Sequence, residues 1–184
     1  MSRTNGAYNN IIRKQNAFFP KFDYNAVRGL KGLIQNKCTI GLRRVEAFQA
    51  CFKKISDVAI PEIGASGCNF CKVHWEIFAR FMEASIIHIA GVENYNYDPG
   101  FFKRVLKRKC ASRFAVVIMP RRWGKTVVTS AFVAALILAI PKVKINVYSP
   151  AKRASQSLLM TIISIVRLVL GDELAVIKNN METY

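Results

Sequence analysis

Acidic residues are scarce in this sequence. Eleven Asp and Glu stand against 28 Lys and Arg, which gives a formal net charge of +17 over 184 residues. Such an excess indicates a polyanionic partner, either nucleic acid or an acidic membrane surface. Residues 1–60 carry 11 basic and 3 acidic side chains, and residues 101–125 carry nine basic side chains and no acidic one. We therefore expect polyanion contacts to come from these two segments.

The sequence also lacks the apolar N-terminal core of a secretory signal, and its five cysteines are an odd number. Reduced thiols in an intracellular compartment are the simplest expectation. The uncharged run at residues 127–141 falls short of the roughly 20 residues that a membrane span needs, so we predict no transmembrane helix. The length suits one domain of ordinary size, and a hydrophobic content of 52% allows it a substantial core.

The first half of the chain predicts a basic, mainly helical region. Residues 1–35 are basic and interrupted by Gly and Pro, as in an arm. Residues 42–60 predict a helix that ends before Pro61, and residues 70–90 predict a stronger one that ends at Gly91. An i,i+4 pair of Glu76 and Arg80 supports the second helix. Its expected apolar stripe consists of Phe70, Val73, Ile77, Phe81, Ala84 and Ile87.

The residue pattern of the sequence changes after the turn-forming residues 94–100. We therefore predict two parts of the chain, residues 1–100 and residues 101–184. In the second part, residues 114–119 and 143–148 read as short buried strands, and residues 126–140 and 155–170 read as helices. The order β-α-β-α predicts an α/β fold with a parallel sheet, incomplete in this chain.

Between the first predicted strand and the next helix lies "IMPRRWGKT", which nearly matches the phosphate-binding pattern G-x-x-x-x-G-K-[ST]. A Gly-Lys-Thr triplet alone is weak evidence, and a strand-to-helix turn that contains it by chance is the alternative. The placement favours a P-loop NTPase, because loop amides and a helix N-terminus must converge on the phosphates. Gly124 would allow close approach, Lys125 would reach the β- and γ-phosphates, and the Thr126 hydroxyl would hold Mg²⁺.

Met119 stands where the pattern has its first glycine, and a Met residue disfavours positive φ. Pro120 fixes its own φ and removes a donor, so the loop must leave the strand along a different path. Arg121 and Arg122 place fixed positive charge where negative charge develops during phosphoryl transfer, the role of an arginine finger supplied in cis.

The segment "VVIMPRRWGKT" and the apolar helix after it resemble the Walker A region of viral large terminase subunits, ATPases that translocate double-stranded DNA into capsids. The herpesvirus type, with a P-R-R-x-G-K-T loop, is the most similar. "KVKINVYSPAKRASQSLLMTII" resembles the family's next strand and helix, so the resemblance covers about residues 112–175. It implies ATP and Mg²⁺ as cofactors, Lys125 and Arg121 as catalytic residues, with Arg122 the weaker arginine candidate. The nucleotide-binding loop would be Pro120, Arg121, Arg122, Trp123, Gly124, Lys125 and Thr126.

The same resemblance implies double-stranded DNA, a small terminase subunit and the capsid portal as partners, a homo-oligomeric motor, a nuclease domain and a location in the host nucleus. It also implies an adenine-contacting Gln upstream of the loop, but none lies between Gln49 and the loop. Asp172 and Glu173 are not read as the Walker B pair, because Gly171 interrupts the apolar run and fits the end of a helix. We expect a chain that stops before Walker B, as a first-exon product, an incomplete gene model or a truncated chain. By itself it should bind ATP weakly and not hydrolyse it.

"CNFCKVH" places Cys68, Cys71 and His74 at a spacing that suits three zinc ligands. His88 is too far along the same helix to be the fourth, so Cys38, Cys51 or Cys110 would have to approach. Two buried thiols and an ordinary helix histidine are the alternative.

"FFKRVLKRK", residues 101–109, mixes aromatic and basic side chains, as in nucleic-acid contacts or in a solvated charged helix face. For the whole chain, two alternatives to the packaging ATPase stay open. They are a P-loop helicase-type ATPase and a non-catalytic basic DNA-binding protein with a possible zinc site.

Overall fold

The computed structural model describes residues 32–63, 70–96, 98, 100–101 and 114–171. The regular structure in these ranges is helical. Helix α1 spans Gly32–Lys54, a π-helical turn spans Ile55–Ala59, and α2 spans Ile60–Ile63. They are followed by α3 (Lys72–Ala90), α4 (Val92–Tyr95), α5 (Lys125–Ala139) and α6 (Lys152–Leu170).

The predicted parallel sheet, and with it the α/β P-loop fold class, is wrong for the residues that the structure describes, which contain no strand. The apolar runs at 114–119 and 143–148 are irregular and largely exposed. Relative exposure is 83% for Phe114, 93% for Ile118 and 90% for Tyr148. A β-branched run becomes a buried strand only where a neighbouring strand pairs with its backbone. No described segment pairs in this way, and the helices form the core instead.

Helix α1 begins ten residues before the predicted start, and the helical structure continues through the π-helical turn into α2, beyond Pro61. The π-helical turn explains the continuation. Its Ile60 N–H donates to the Ile55 carbonyl, five residues back, and a new α-helical turn begins there. Pro61 therefore lies in the first turn of α2, where a helix does not need the missing N–H.

Helix α3 confirms the helix predicted at 70–90, and Gly91 ends it with a φ of 90°. The predicted buried stripe is displaced. Ile77 is buried, but Val73 and Phe81 are only partly so, because the core-facing side is centred on Trp75, Phe78, Met82, Ile86 and Ile89. The predicted ion pair between Glu76 and Arg80 is also replaced. Lys72 pairs with Glu76 at 3.9 Å and Arg80 pairs with Glu83 at 3.2 Å.

A cluster of aromatic rings joins α1, α3 and α5. Phe78 of α3 stacks on Phe52 of α1 at a centroid distance of 3.8 Å, and Phe48 of α1 lies 6.0 Å from Phe78. Phe132 of α5 meets Phe48 edge-on at 5.4 Å and Phe78 at 6.0 Å. Trp75 completes the cluster beside Phe52. Side chains from both predicted parts of the chain share this core, while the boundary at residues 94–100 stays a prediction.

The two helices predicted at 126–140 and 155–170 are confirmed as α5 and α6, with α6 starting three residues earlier. Gly171 ends α6 with a φ of 61°. By length and composition alone α6 could cross a membrane. Its buried residues pack against α5 and the π-helical turn, and Lys54 donates a hydrogen bond to the Val169 carbonyl at 3.2 Å. These contacts bury one face of α6, and 28% of its most apolar 18-residue window is buried.

Several predictions fall outside the described residues. They concern the basic arm at 1–31, residues 102–109 of the basic run, Cys68, Cys110, Asp172 and Glu173.

A matched pair of substitutions tests the exposed position of the run before the loop. Ile118 is 93% exposed and Ile165 of α6 is 0% exposed. We expect Ile165→Ala to lower the free energy of unfolding by about 2–5 kcal/mol, and Ile118→Ala to change it by no more than about 0.5 kcal/mol. Denaturant unfolding measures both. Equal losses would show that Ile118 is buried, as the strand prediction required.

Candidate functional site: a basic loop at the start of α5

The loop of residues 119–124 turns the chain into α5 with two left-handed residues. Arg122 has a φ of 67° and Gly124 has a φ of 73° and ψ of 19°. Met119 does not adopt a positive φ. The conformation that a phosphate loop usually takes at its first glycine is therefore absent at Met119, and the left-handed turn is made three residues later by Arg122. A non-glycine residue in this region costs roughly 1–2 kcal/mol, so the surrounding contacts must stabilise it.

Lys125 closes the loop. Its Nζ donates a hydrogen bond of 2.8 Å to the Met119 carbonyl, from the first residue of α5 back to the start of the turn. The first helical amide bond at this end runs from Val128 N–H to the Gly124 carbonyl at 3.0 Å. Amides of the preceding first-turn residues have no acceptor within the helix. The ammonium group and the open end of a 15-residue helix thus share one surface.

Positive charge at this surface is exposed. Arg121, Arg122 and Lys125 are all solvent-exposed, and Trp123 is 52% exposed. Within the described ranges, none of these three cations forms a salt bridge with a carboxylate. The field of the helix N-terminus has the same sign. An anion would be attracted by both contributions.

A contact that the sequence did not predict joins the loop to α3. His74 Nε2 lies 2.9 Å from the Trp123 carbonyl oxygen, across 49 positions of sequence. On the other side of the ring, the Cys71 backbone N–H donates to His74 Nδ1 at 3.1 Å. The histidine singled out as a zinc ligand is thus placed beside the loop. No local pattern could have indicated this pairing, because it depends on how α3 and α5 pack.

Only two of the three predicted zinc ligands lie in the described residues. Cys71 Sγ lies 3.4 Å from His74 Nδ1, but Cys68 is outside the described residues. In the described part of the chain no group of three or more His, Cys, Asp and Glu side chains is arranged to hold a metal. Burial raises the pKa of the Cys51 thiol, with Lys54 opposing, which favours the neutral thiol over the thiolate that zinc binds. Zinc binding stays a prediction.

Two further nucleotide contacts can be assessed. Gln49 cannot supply the adenine contact from its present position, because it is buried and its Nε2 donates to Met82 Sδ at 3.4 Å. Adenine-binding residues are therefore unassigned. Thr126 is exposed in the first turn of α5, beside Lys125, as a magnesium-binding hydroxyl requires.

No protein-family model, curated protein or solved structure matches this chain.

Gly124 is the loop residue at which a side chain would be tolerated least. Besides its positive φ, a Cβ at this position would lie 2.7 Å from His74 Nε2. We expect Gly124→Ala to lower the free energy of unfolding by more than the roughly 1–2 kcal/mol that a left-handed alanine costs, because the added methyl group also meets the His74 ring. Thermal or denaturant unfolding measures the loss. A loss below about 1 kcal/mol would contradict the described loop conformation.

Proposed function

We propose that residues 119–126 bind the phosphates of ATP. The observation that carries the proposal is the hydrogen bond from Lys125 Nζ to the Met119 carbonyl, which keeps the ammonium at the mouth of a loop that opens on a helix N-terminus. A lysine held by one neutral carbonyl can exchange it for a phosphate oxygen, since a charge-assisted hydrogen bond is the stronger. The proposal depends on this loop and helix and not on a sheet.

The exposed side chains fit a polyphosphate better than a single small anion. Lys125 would hold phosphate oxygens, Thr126 would contact the Mg²⁺ that accompanies ATP, and Arg121 or Arg122 would stabilise charge on the terminal phosphate. In complex, Mg-ATP would supply the phosphoryl group to be transferred. The side chains of this loop supply binding, orientation and positive charge.

For the larger function, we propose the ATPase part of a viral genome-packaging motor that translocates double-stranded DNA. The support is the resemblance of "VVIMPRRWGKT" to terminase Walker A loops, together with the net charge of +17. Double-stranded DNA, a small terminase subunit, the capsid portal and further copies of the chain are the partners that this proposal entails, and the host nucleus is the compartment.

A second candidate is a non-catalytic basic DNA-binding protein in which Gly-Lys-Thr is incidental. One observation favours it: the described residues are helical, without the sheet on which a P-loop motor is built. This candidate predicts DNA binding that does not depend on ATP or on Lys125. A helicase-type ATPase would share the loop chemistry and differ in coupling to strand separation.

Lysine substitutions at the two ends of α5 test ATP binding. We expect Lys125→Ala to weaken Mg-ATP binding at least about tenfold, about 1.4 kcal/mol, because it removes the phosphate-facing ammonium. Lys142→Ala removes an equal charge from the turn after α5, where Lys142 is exposed with a φ of 58°, and should change affinity less than about twofold. Isothermal titration calorimetry measures both. Equal effects of the two substitutions would show that ATP affinity depends on overall positive charge and not on this loop.

DNA binding is tested by its salt dependence. We expect affinity for duplexes of unrelated sequence to be similar and to fall about 10³-fold or more between 50 and 200 mM salt, if six or more phosphates are contacted. Fluorescence anisotropy with two labelled duplexes measures this. A strong preference for one duplex, or an affinity insensitive to salt, would contradict backbone binding.

A further inference from the structure

We propose that His74 is a positioning residue for the phosphate loop, holding the Trp123 carbonyl so that the loop keeps its binding conformation. The inference rests on the function proposed above for residues 119–126. The contact itself is a feature of the described structure and can be tested without a nucleotide.

The hydrogen bonds of the ring define its role. Nδ1 accepts from the Cys71 N–H at 3.1 Å, so in the neutral imidazole the proton is on Nε2. Nε2–H then donates to the Trp123 carbonyl at 2.9 Å. Both ring nitrogens are used, one to cap the start of α3 and one to hold the loop. His74 is the third residue of α3 and forms a capping box with Cys71.

The ring is fixed by the core beneath it. Phe70 lies 5.3 Å from the His74 ring between centroids, and Phe70 in turn stacks on Phe52 of α1 at 5.8 Å. Helix α3 is joined to α5 by the rings of Phe78 and Phe132. The Nε2–H donor therefore belongs to the same packed unit as the helix that follows the loop. A residue on a flexible surface segment would not provide such a fixed point.

Holding the Trp123 carbonyl also orients the next amide. The described chain contains no cis peptide bond, and in a planar trans peptide the C=O and N–H point in opposite directions. Because the Trp123 carbonyl faces His74, the Gly124 N–H faces away from α3. A phosphate loop needs its glycine amide free to donate to an anion. His74 fixes this orientation, and the 2.7 Å distance from Nε2 to a would-be Cβ explains why residue 124 is glycine.

The test compares His74→Leu with His74→Gln in the 184-residue chain. Gln at this position can complete the capping box and has an amide N–H for the Trp123 carbonyl, whereas Leu can do neither. Acrylamide quenching of tryptophan fluorescence reports on the loop without nucleotide. The chain has two tryptophans, and Trp75 is 2% exposed against 52% for Trp123, so the quenchable signal comes from the loop.

We expect His74→Leu to raise the quenching constant about twofold and to weaken Mg-ATP binding about tenfold, with most of both effects reversed in His74→Gln. Lys142→Ala, outside the loop, should leave both the quenching constant and the ATP affinity near their original values. Unchanged quenching and ATP affinity in His74→Leu would overturn the inference. If His74→Leu does not fold, Gly124→Ala, which pushes a methyl group against Nε2, should raise quenching in the same way, and unchanged quenching there overturns it.

The two proposals fail differently. If the original chain shows no Lys125-dependent ATP binding, the proposed function fails. The quenching measurement still decides whether His74 holds the loop. Should ATP binding depend on Lys125 but not on His74, the function stands and the positioning role is refuted.

Discussion

The packing of Phe78 against Phe48, Phe52 and Phe132 holds three of the described helices together. It fixes α1, α3 and α5 relative to one another, and the contact between His74 and the Trp123 carbonyl follows from that arrangement. Large buried rings contribute strongly because each removes a wide apolar area from water and meets its neighbours in favourable geometry. With α3 and α5 fixed, the start of α3 lies beside the loop that precedes α5. A basic surface loop is thereby tied to the core.

The helices of this fold could be predicted from sequence more reliably than its other features. Gly91 and Gly171 marked two helix ends, since glycine at these positions accepts a positive φ. The π-helical turn before Pro61 was not predictable, because it reflects packing and not local preference. The strand predictions were wrong for a related reason. The run that contains Val116 and Ile118 has strong β preference, but a strand also needs a partner strand, and no described segment provides one.

For the candidate site, the sequence indicated which residues form the loop but not how it is held. Gly124 and Lys125 were found from a local pattern, and the structure places Lys125 at the loop's mouth. The left-handed Arg122 could not be foreseen, since arginine rarely adopts that conformation. His74 was identified for a different chemistry. Its contact with Trp123 joins residues 49 positions apart, a distance over which periodicity and motif spacing carry no information.

A backbone amide NMR titration with Mg-ATP would decide whether residues 119–126 form a phosphate-binding loop. We expect saturable shifts concentrated at Arg121 to Thr126, largest at Gly124 and Lys125, with much smaller shifts when AMP replaces ATP. Shifts confined to other basic segments, or equal responses to ATP and AMP at the loop, would contradict it.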